Sequence, residues 1–141
     1  MKLKILQIRE ATGQSLTSSQ SIADLMTEEA KADRECLWVL HLDTGLKIIE
    51  KELVAVGILN ASFIHPREVF KKAIINSAYS IITVHNHPSG NPAPSGEDSK
   101  IWDTLIKAGK LLQIPVTDNV IIGPGGKFYS DRESGVNGDY D

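Results

Sequence analysis

The chain has 141 residues, 41% of them hydrophobic, which fits a single domain that buries its own apolar core. With 15 basic against 18 acidic residues the net charge is −3, which excludes a chain that binds nucleic acid through overall positive charge. A lone cysteine excludes an internal disulfide, and no apolar run reaches the about 20 residues that span a bilayer. Since the first residues also lack a signal-peptide pattern, we expect a cytoplasmic protein.

The N-terminal part of the chain predicts one strand and one helix. Residues 2–9 mix basic and apolar positions and predict a strand, whereas the small polar residues 10–18 predict a loop or linker. Ser19 or Ser21 is a candidate N-cap for a helix that runs to about Ala32, because apolar residues recur there at helical spacing.

The middle of the chain predicts a hairpin and a second helix. Residues 35–42 and 46–59 predict two strands joined by a short Asp-Thr-Gly loop. The first of them is almost continuously apolar, which indicates burial on both faces. A helix is expected from His65-Pro66 to about Ala78, since proline suits the first helical position.

The C-terminal part predicts three further strands around a long helix. The strands are expected at 79–85, 116–122 and 127–129, and the helix is expected between an N-cap at Ser95 and about Lys110. Strands and helices therefore alternate in a mixed order. This order predicts an α/β fold in which a single domain has a central mixed β-sheet flanked by helices.

Two histidines and one aspartate carry the strongest chemical signal. His85 and His87 are two residues apart at a strand end, so an extended backbone directs both rings to one face. Asp98 follows in the first turn of the next helix, after a loop rich in proline and glycine. Three nitrogen and oxygen ligands leave a fourth position for water, which is typical of catalytic zinc. The pattern predicts one Zn²⁺ per chain.

Each part of this pattern also has an ordinary structural explanation. Ser95 and Asp98 have the spacing of a capping box, a common device for starting a helix. A His-x-His pair alone is modest evidence for a metal. The conjunction of the histidine pair, the rigid loop and the Ser-x-x-Asp start favours the metal site.

The run from His85 to Asp98 resembles the signature of the RadC family, whose core is a JAB/MPN (JAMM) metalloprotease-like domain. The similarity extends to the segment His-Pro-Arg-Glu-Val-Phe at 65–70 and to Arg-Glu-Ser-Gly at 132–135. It implies a JAB/MPN-like fold with the layering of cytidine deaminases. It also implies a RadC-like domain at 19–135, preceded by a strand and linker at 1–18 and followed by a flexible tail at 136–141.

The resemblance implies peptide or isopeptide hydrolysis by a zinc-activated water, with an unknown polypeptide as substrate. It implies that Glu35 is the general base and that the Ser95 hydroxyl donates a hydrogen bond to the developing oxyanion. The residue pattern alone does not choose among the acidic candidates Glu35, Glu50, Glu52, Glu68, Glu97 and Glu133. Two other functions stay open: a DNA repair or recombination factor, and a metal-bound domain that binds a protein partner without cleaving it.

Two features depart from the family pattern. Asp118-Asn119 stands where the family usually has Asp-His, which leaves zinc binding intact but puts any auxiliary role of that histidine in doubt. We also expect the N-terminal module resembling a helix-hairpin-helix domain to be missing, because only about 18 residues precede the region of similarity.

We therefore predict that this chain alone binds DNA weakly or not at all. Affinity for duplex DNA comes largely from basic residues that neutralise phosphates, and here they are scattered among acidic ones. Fluorescence anisotropy with duplex and single-stranded oligonucleotides at two salt concentrations measures this. Submicromolar binding at physiological ionic strength with a steep salt dependence would contradict it and favour the repair function.

Overall fold

The structure is a computed structural model that describes residues 12–57, 59–135 and 140. Its strands are β1 (Thr12–Ser15), β2 (Cys36–Leu42), β3 (Lys47–Val56), β4 (Ser80–Asn86), β5 (Val116–Ile122) and β6 (Phe128–Ser130). Its α-helices are α1 (Ser19–Leu25), α2 (Pro66–Ile75), α3 (Gly96–Leu112) and α4 (Asp131–Ser134).

Within the described ranges, the six strands form one mixed sheet in the order β1-β3-β2-β4-β5-β6. The pair β4–β5 is parallel and the other neighbouring pairs are antiparallel. The chain is thus a single α/β domain with a central mixed sheet, as predicted, and its architecture agrees with a JAB/MPN fold. The parallel pair brings the ends of β4 and β5 to the same edge of the sheet.

Apolar side chains cover both faces of the sheet. Along β2, Leu37 and Val39 belong to the cluster beneath α2 and α3, whereas Trp38 and Leu40 belong to the cluster beneath α1. All seven residues of β2 are buried. The predicted burial of this strand on both faces is confirmed, because side chains alternate between the faces of a strand.

Three predictions in the N-terminal region are wrong. Part of the expected loop at 10–18 is β1, whose small polar sequence gives no strand signal and whose pairing comes from the edge of β3. The helix α1 ends at Leu25 instead of about Ala32, and its N-cap is Ser18 rather than Ser19 or Ser21. Ser18 is extended and accepts a hydrogen bond from the Ser21 amide, so the serine one position earlier completes the capping box.

Other differences lie near the chain ends. The predicted strand at 2–9 and most of the tail at 136–141 are outside the described residues. Tyr140 is described, and it is partly buried against the cluster beneath α2 and α3. Glu133 lies inside α4, and its carboxylate accepts a hydrogen bond from the Ser19 amide. None of the helices in the described part of the chain combines the length and apolarity needed to cross a membrane.

Candidate metal centre

The end of β4 sets the direction of the two histidine rings. The His87 amide donates to the Ile122 carbonyl at 2.9 Å, which continues the pairing with β5 one residue beyond β4. The backbone therefore stays extended from His85 to His87, and both rings lie on the face covered by α2 and α3. His85 is buried and His87 is half-buried.

The loop after β4 brings the start of α3, with Asp98, back beside His85 and His87. Gly90 donates its amide to the His87 carbonyl at 3.0 Å and has a φ of 88°, a conformation that favours glycine. Ser95 then caps α3: its hydroxyl accepts from the Asp98 amide at 3.1 Å, and the Asp98 carboxylate accepts from the Ser95 amide at 2.8 Å. This capping box confirms the structural interpretation of the pair and fixes the Asp98 side chain at the helix start.

The three predicted ligands meet at one point. The Nε2 atoms of His85 and His87 are 3.2 Å apart. Asp98 Oδ1 lies 3.2 Å from the first and Oδ2 lies 3.3 Å from the second. Ligand atoms at about 2.0–2.1 Å from a tetrahedral zinc are about 3.3–3.4 Å apart, so these separations suit such an ion. In the described residues, no other group of three or more His, Cys, Asp or Glu side chains converges in this way.

Hydrogen bonding prepares the His87 ring as a ligand. Its Nδ1 lies 2.9 Å from the Asn91 carbonyl oxygen, and since that oxygen only accepts, Nδ1 carries the hydrogen. In neutral His87 the lone pair of Nε2 therefore points toward His85 and Asp98. A partner on the second nitrogen is the usual way in which a metal-binding histidine is oriented.

The pKa shifts of His87 and Asp98 show that a positive charge is favoured among the side chains of His85, His87 and Asp98. The hydrogen bond with Asp98 raises the pKa of His87, with smaller contributions from Asn91 and the charge of Glu35. Burial raises the pKa of Asp98, but the hydrogen bonds with His85 and His87 outweigh it and hold that pKa far below its usual range. Three electron-pair donors in a buried space repel one another unless a proton or a metal cation lies between them. The donor set therefore fits a metal ion.

An aromatic residue supports the His85 ring, and the sequence interpretation missed this role. Trp102 is buried, and its ring centroid lies 5.9 Å from that of His85. Tyr129 stacks on Trp102 at 6.1 Å with an interplanar angle of 7°. The available signal was the spacing, because Trp102 follows Asp98 by four positions and therefore shares its helix face.

Glu35 precedes β2 beside the histidines. Antiparallel pairing joins Leu37 with His85, and continuing that register by two residues sets Glu35 opposite His87. The charge of Glu35 contributes to the raised pKa of His87, which agrees with this proximity. Glu35 is half-buried, and its Oε2 accepts from the Leu59 amide at 3.2 Å.

Most other acidic candidates are engaged elsewhere. Glu50 pairs with Lys72, and Glu52 lies 3.1 Å from buried His41 at the far end of β2. Glu133 contacts α1, as described above, and Glu68 is exposed on α2. Glu97 adjoins Asp98, but its Oε2 accepts from the Ala61 amide at 3.1 Å.

Asn119 occupies the position where the family usually has histidine, and it is buried on β5. Its Oδ1 accepts from the Thr83 hydroxyl, and its Nδ2 donates to the Tyr140 hydroxyl at 2.9 Å. The Tyr140 hydroxyl donates in turn to Asp131. Asn119 is not one of the three converging side chains, so the substitution leaves that group complete.

The capping role of Ser95 gives a stability prediction. We expect Ser95→Ala to lower the free energy of unfolding by about 1 kcal/mol, because the Asp98 amide loses its acceptor. Urea denaturation of the metal-free protein measures this. Ser99→Ala lies inside the same helix and should leave stability unchanged or slightly higher. Equal losses in the two variants would contradict the assignment of Ser95 as the cap.

The sheet, its helical layers and the three converging side chains define an α/β domain with a His-His-Asp group that could hold a metal ion. A profile described as RadC-like JAB domain matches residues 16–136. The match covers well over half of the sequence, so the chain belongs to the RadC-like JAB domain family, and the resemblance seen in the sequence is confirmed.

Curated relatives agree with this assignment. A UPF0758 protein of Pelodictyon phaeoclathratiforme is 54% identical over 103 residues, which are 73% of this chain and 46% of that protein. A UPF0758 protein of Methanosarcina mazei is 41% identical over 127 residues, which are 89% of this chain and 55% of that protein. The chain thus spans about half the length of the curated relatives it matches.

Proposed function

We propose that this domain is a zinc-dependent hydrolase of JAMM type that cleaves peptide or isopeptide bonds in a polypeptide substrate. The observation that carries the proposal is the convergence of His85, His87 and Asp98 within tetrahedral ligand separations, beside the Glu35 carboxylate. A three-ligand group with one position left open and a neighbouring carboxylate are the components that metal-assisted hydrolysis requires.

The donor set supports zinc as the metal. Two imidazole nitrogens and one carboxylate oxygen are ligands that zinc accepts, and three protein ligands leave a fourth position open. When bound, zinc polarises a carbonyl group and lowers the pKa of a water toward neutrality. The protein residues around it have to supply proton transfer, charge stabilisation and orientation.

Glu35 is assigned the proton transfers. Its Oε2 accepts from the Leu59 amide, so Oε1 takes a proton from the attacking water and later gives it to the leaving amine. The Leu59 contact fixes the orientation of the carboxylate during both transfers. A second contact of the same kind, between Glu97 and Ala61, holds the segment that carries Leu59.

Ser95 is assigned the stabilisation of the oxyanion that forms on the attacked carbonyl oxygen. Its oxygen accepts from the Asp98 amide, and that bond uses a lone pair without engaging the hydroxyl hydrogen. Ser95 is exposed at the helix start, where its hydroxyl can donate to an oxygen that gains negative charge. Ser95 therefore serves the helix cap and the reaction at once.

A cleavage screen tests the proposed function. The zinc-loaded chain is incubated with a complex peptide mixture, and mass spectrometry identifies the new amino termini. We expect cleavage products that are absent after chelator treatment and that return when zinc is restored. If zinc is bound but no products form in peptide or isopeptide mixtures, the result favours a metal-bound domain that recognises a partner without cleaving it.

A further inference from the structure

A buried amide lies between the two histidines and has no part in the mechanism above. Asn86 is fully buried, and it directly follows His85 in β4. Because neighbouring side chains in a strand point to opposite faces, Asn86 faces the α1 side of the sheet. It is not among the three converging side chains.

The side-chain oxygen and the side-chain NH2 group of Asn86 both form hydrogen bonds with the backbone of residues 32–36. Asn86 Oδ1 accepts from the Cys36 amide at 2.7 Å. Its Nδ2 donates to the Arg34 carbonyl at 2.8 Å and to the Ala32 carbonyl at 3.2 Å. These partners precede Asn86 by 50 to 54 positions in the chain. A buried and fully satisfied amide fixes the backbone that it contacts.

The same segment carries Glu35. The Arg34 carbonyl precedes Glu35 and the Cys36 amide follows it, so Asn86 holds the backbone on both sides of that residue. In the described residues, backbone pairing between β2 and β4 begins at Leu37 and His85. Asn86 thus continues the connection between the two segments beyond the point where the strand pairing ends.

We propose that Asn86 is a positioning residue that holds the Glu35 carboxylate next to the His85 and His87 nitrogens. This inference rests on the proposed function, since it concerns the general base of that reaction. The residue between the two ligands then has a task of its own. One side of β4 presents the metal ligands, and the other side anchors the segment that supplies the base.

Cobalt substitution provides a test that needs no substrate. The full chain is loaded with Co²⁺, and its visible absorption bands are titrated with pH. A nearby negative charge disfavours loss of a proton from a water at the fourth ligand position of the cobalt. Glu35→Gln removes that charge, so it should lower the midpoint pH of the absorption change by about one unit or more. Asn86→Ala should lower it similarly, and adding Glu35→Gln to Asn86→Ala should cause no further shift.

Asn119→Ala is the matched control. Asn119 is a buried amide on the neighbouring strand, but it forms hydrogen bonds with Thr83 and Tyr140 and not with the segment before β2. In the Asn119→Ala background, Glu35→Gln should keep its full effect on the midpoint. If Asn86 only stabilises the fold, Glu35→Gln will also keep its full effect in the Asn86→Ala background, and this result would overturn the inference.

A second variant covers the case in which Asn86→Ala does not fold. Asn86→Ser carries no charge, keeps a small polar group in the buried space and is too short to reach the Cys36 amide and the two carbonyl groups together, so it should also abolish the effect of Glu35→Gln. The proposed function fails in a different way. It fails if the wild-type chain binds no Co²⁺, or if Glu35→Gln leaves the midpoint unchanged in the wild-type background.

Discussion

Asp98→Asn should lower zinc affinity by more than about 100-fold, because loss of a direct ligand costs more than the 10–100-fold typical of residues that only support ligands. Asparagine keeps an oxygen that can accept from the Ser95 amide, so the helix start survives and the effect isolates the charged ligand. Competition with a chromophoric chelator measures the affinity. Elemental analysis of the wild-type chain should give about one zinc per chain.

Asp103→Asn is the matched control for charge. Asp103 lies in the same helix, is exposed and pairs with Lys107 at 2.9 Å, so its replacement makes an identical change in net charge away from the histidines. Asp103→Asn should bind zinc as tightly as the wild type. Retention of wild-type affinity by Asp98→Asn, or equal losses in both variants, would contradict the assigned ligand group.

Glu35→Gln should separate metal binding from chemistry. We expect zinc content to be unchanged and kcat/KM on a substrate identified by the cleavage screen to fall by about 10²–10⁴-fold, the usual contribution of a general base. Glutamine keeps an oxygen that can accept from the Leu59 amide, so the segment around it should stay in place. Steady-state kinetics of the zinc-loaded variant measures the loss.

Glu97→Gln is the control for this experiment. Glu97 directly precedes Asp98, and its carboxylate accepts a hydrogen bond from a backbone amide, as Glu35 does, in this case the amide of Ala61. Near wild-type kcat/KM in Glu97→Gln together with a large loss in Glu35→Gln is the expected result. The reverse result would assign the base to Glu97 and would contradict the assignment made here.

Local sequence patterns predicted the parts of the site that depend on neighbouring residues. The two-residue spacing predicts that His85 and His87 share a face, and Ser-x-x-Asp predicts the capping box that fixes Asp98. The four-residue spacing between Asp98 and Trp102 likewise predicts that the two side chains share a face of the helix. These features follow from strand and helix geometry alone.

Other parts of the site depend on strand pairing between distant residues. Asn86 contacts a segment 50 or more positions away, and the place of Glu35 depends on the register between β2 and β4. Nothing in the local sequence encodes that register, and the family resemblance supplied Glu35. The strand β1 was missed for a related reason. Its sequence lacks the apolar alternation from which strands are predicted, and it forms because it pairs with β3, which is distant in the chain.

An anomalous-scattering map from crystals of the zinc-loaded chain, recorded at the zinc edge, locates the bound metal without reference to activity. We expect one strong peak per chain, about 2.0–2.2 Å from Nε2 of His85, Nε2 of His87 and a carboxylate oxygen of Asp98, with the Glu35 carboxylate facing the fourth position. A map with no peak among these three side chains, or with its peak at a different group of residues, would contradict the assigned metal site.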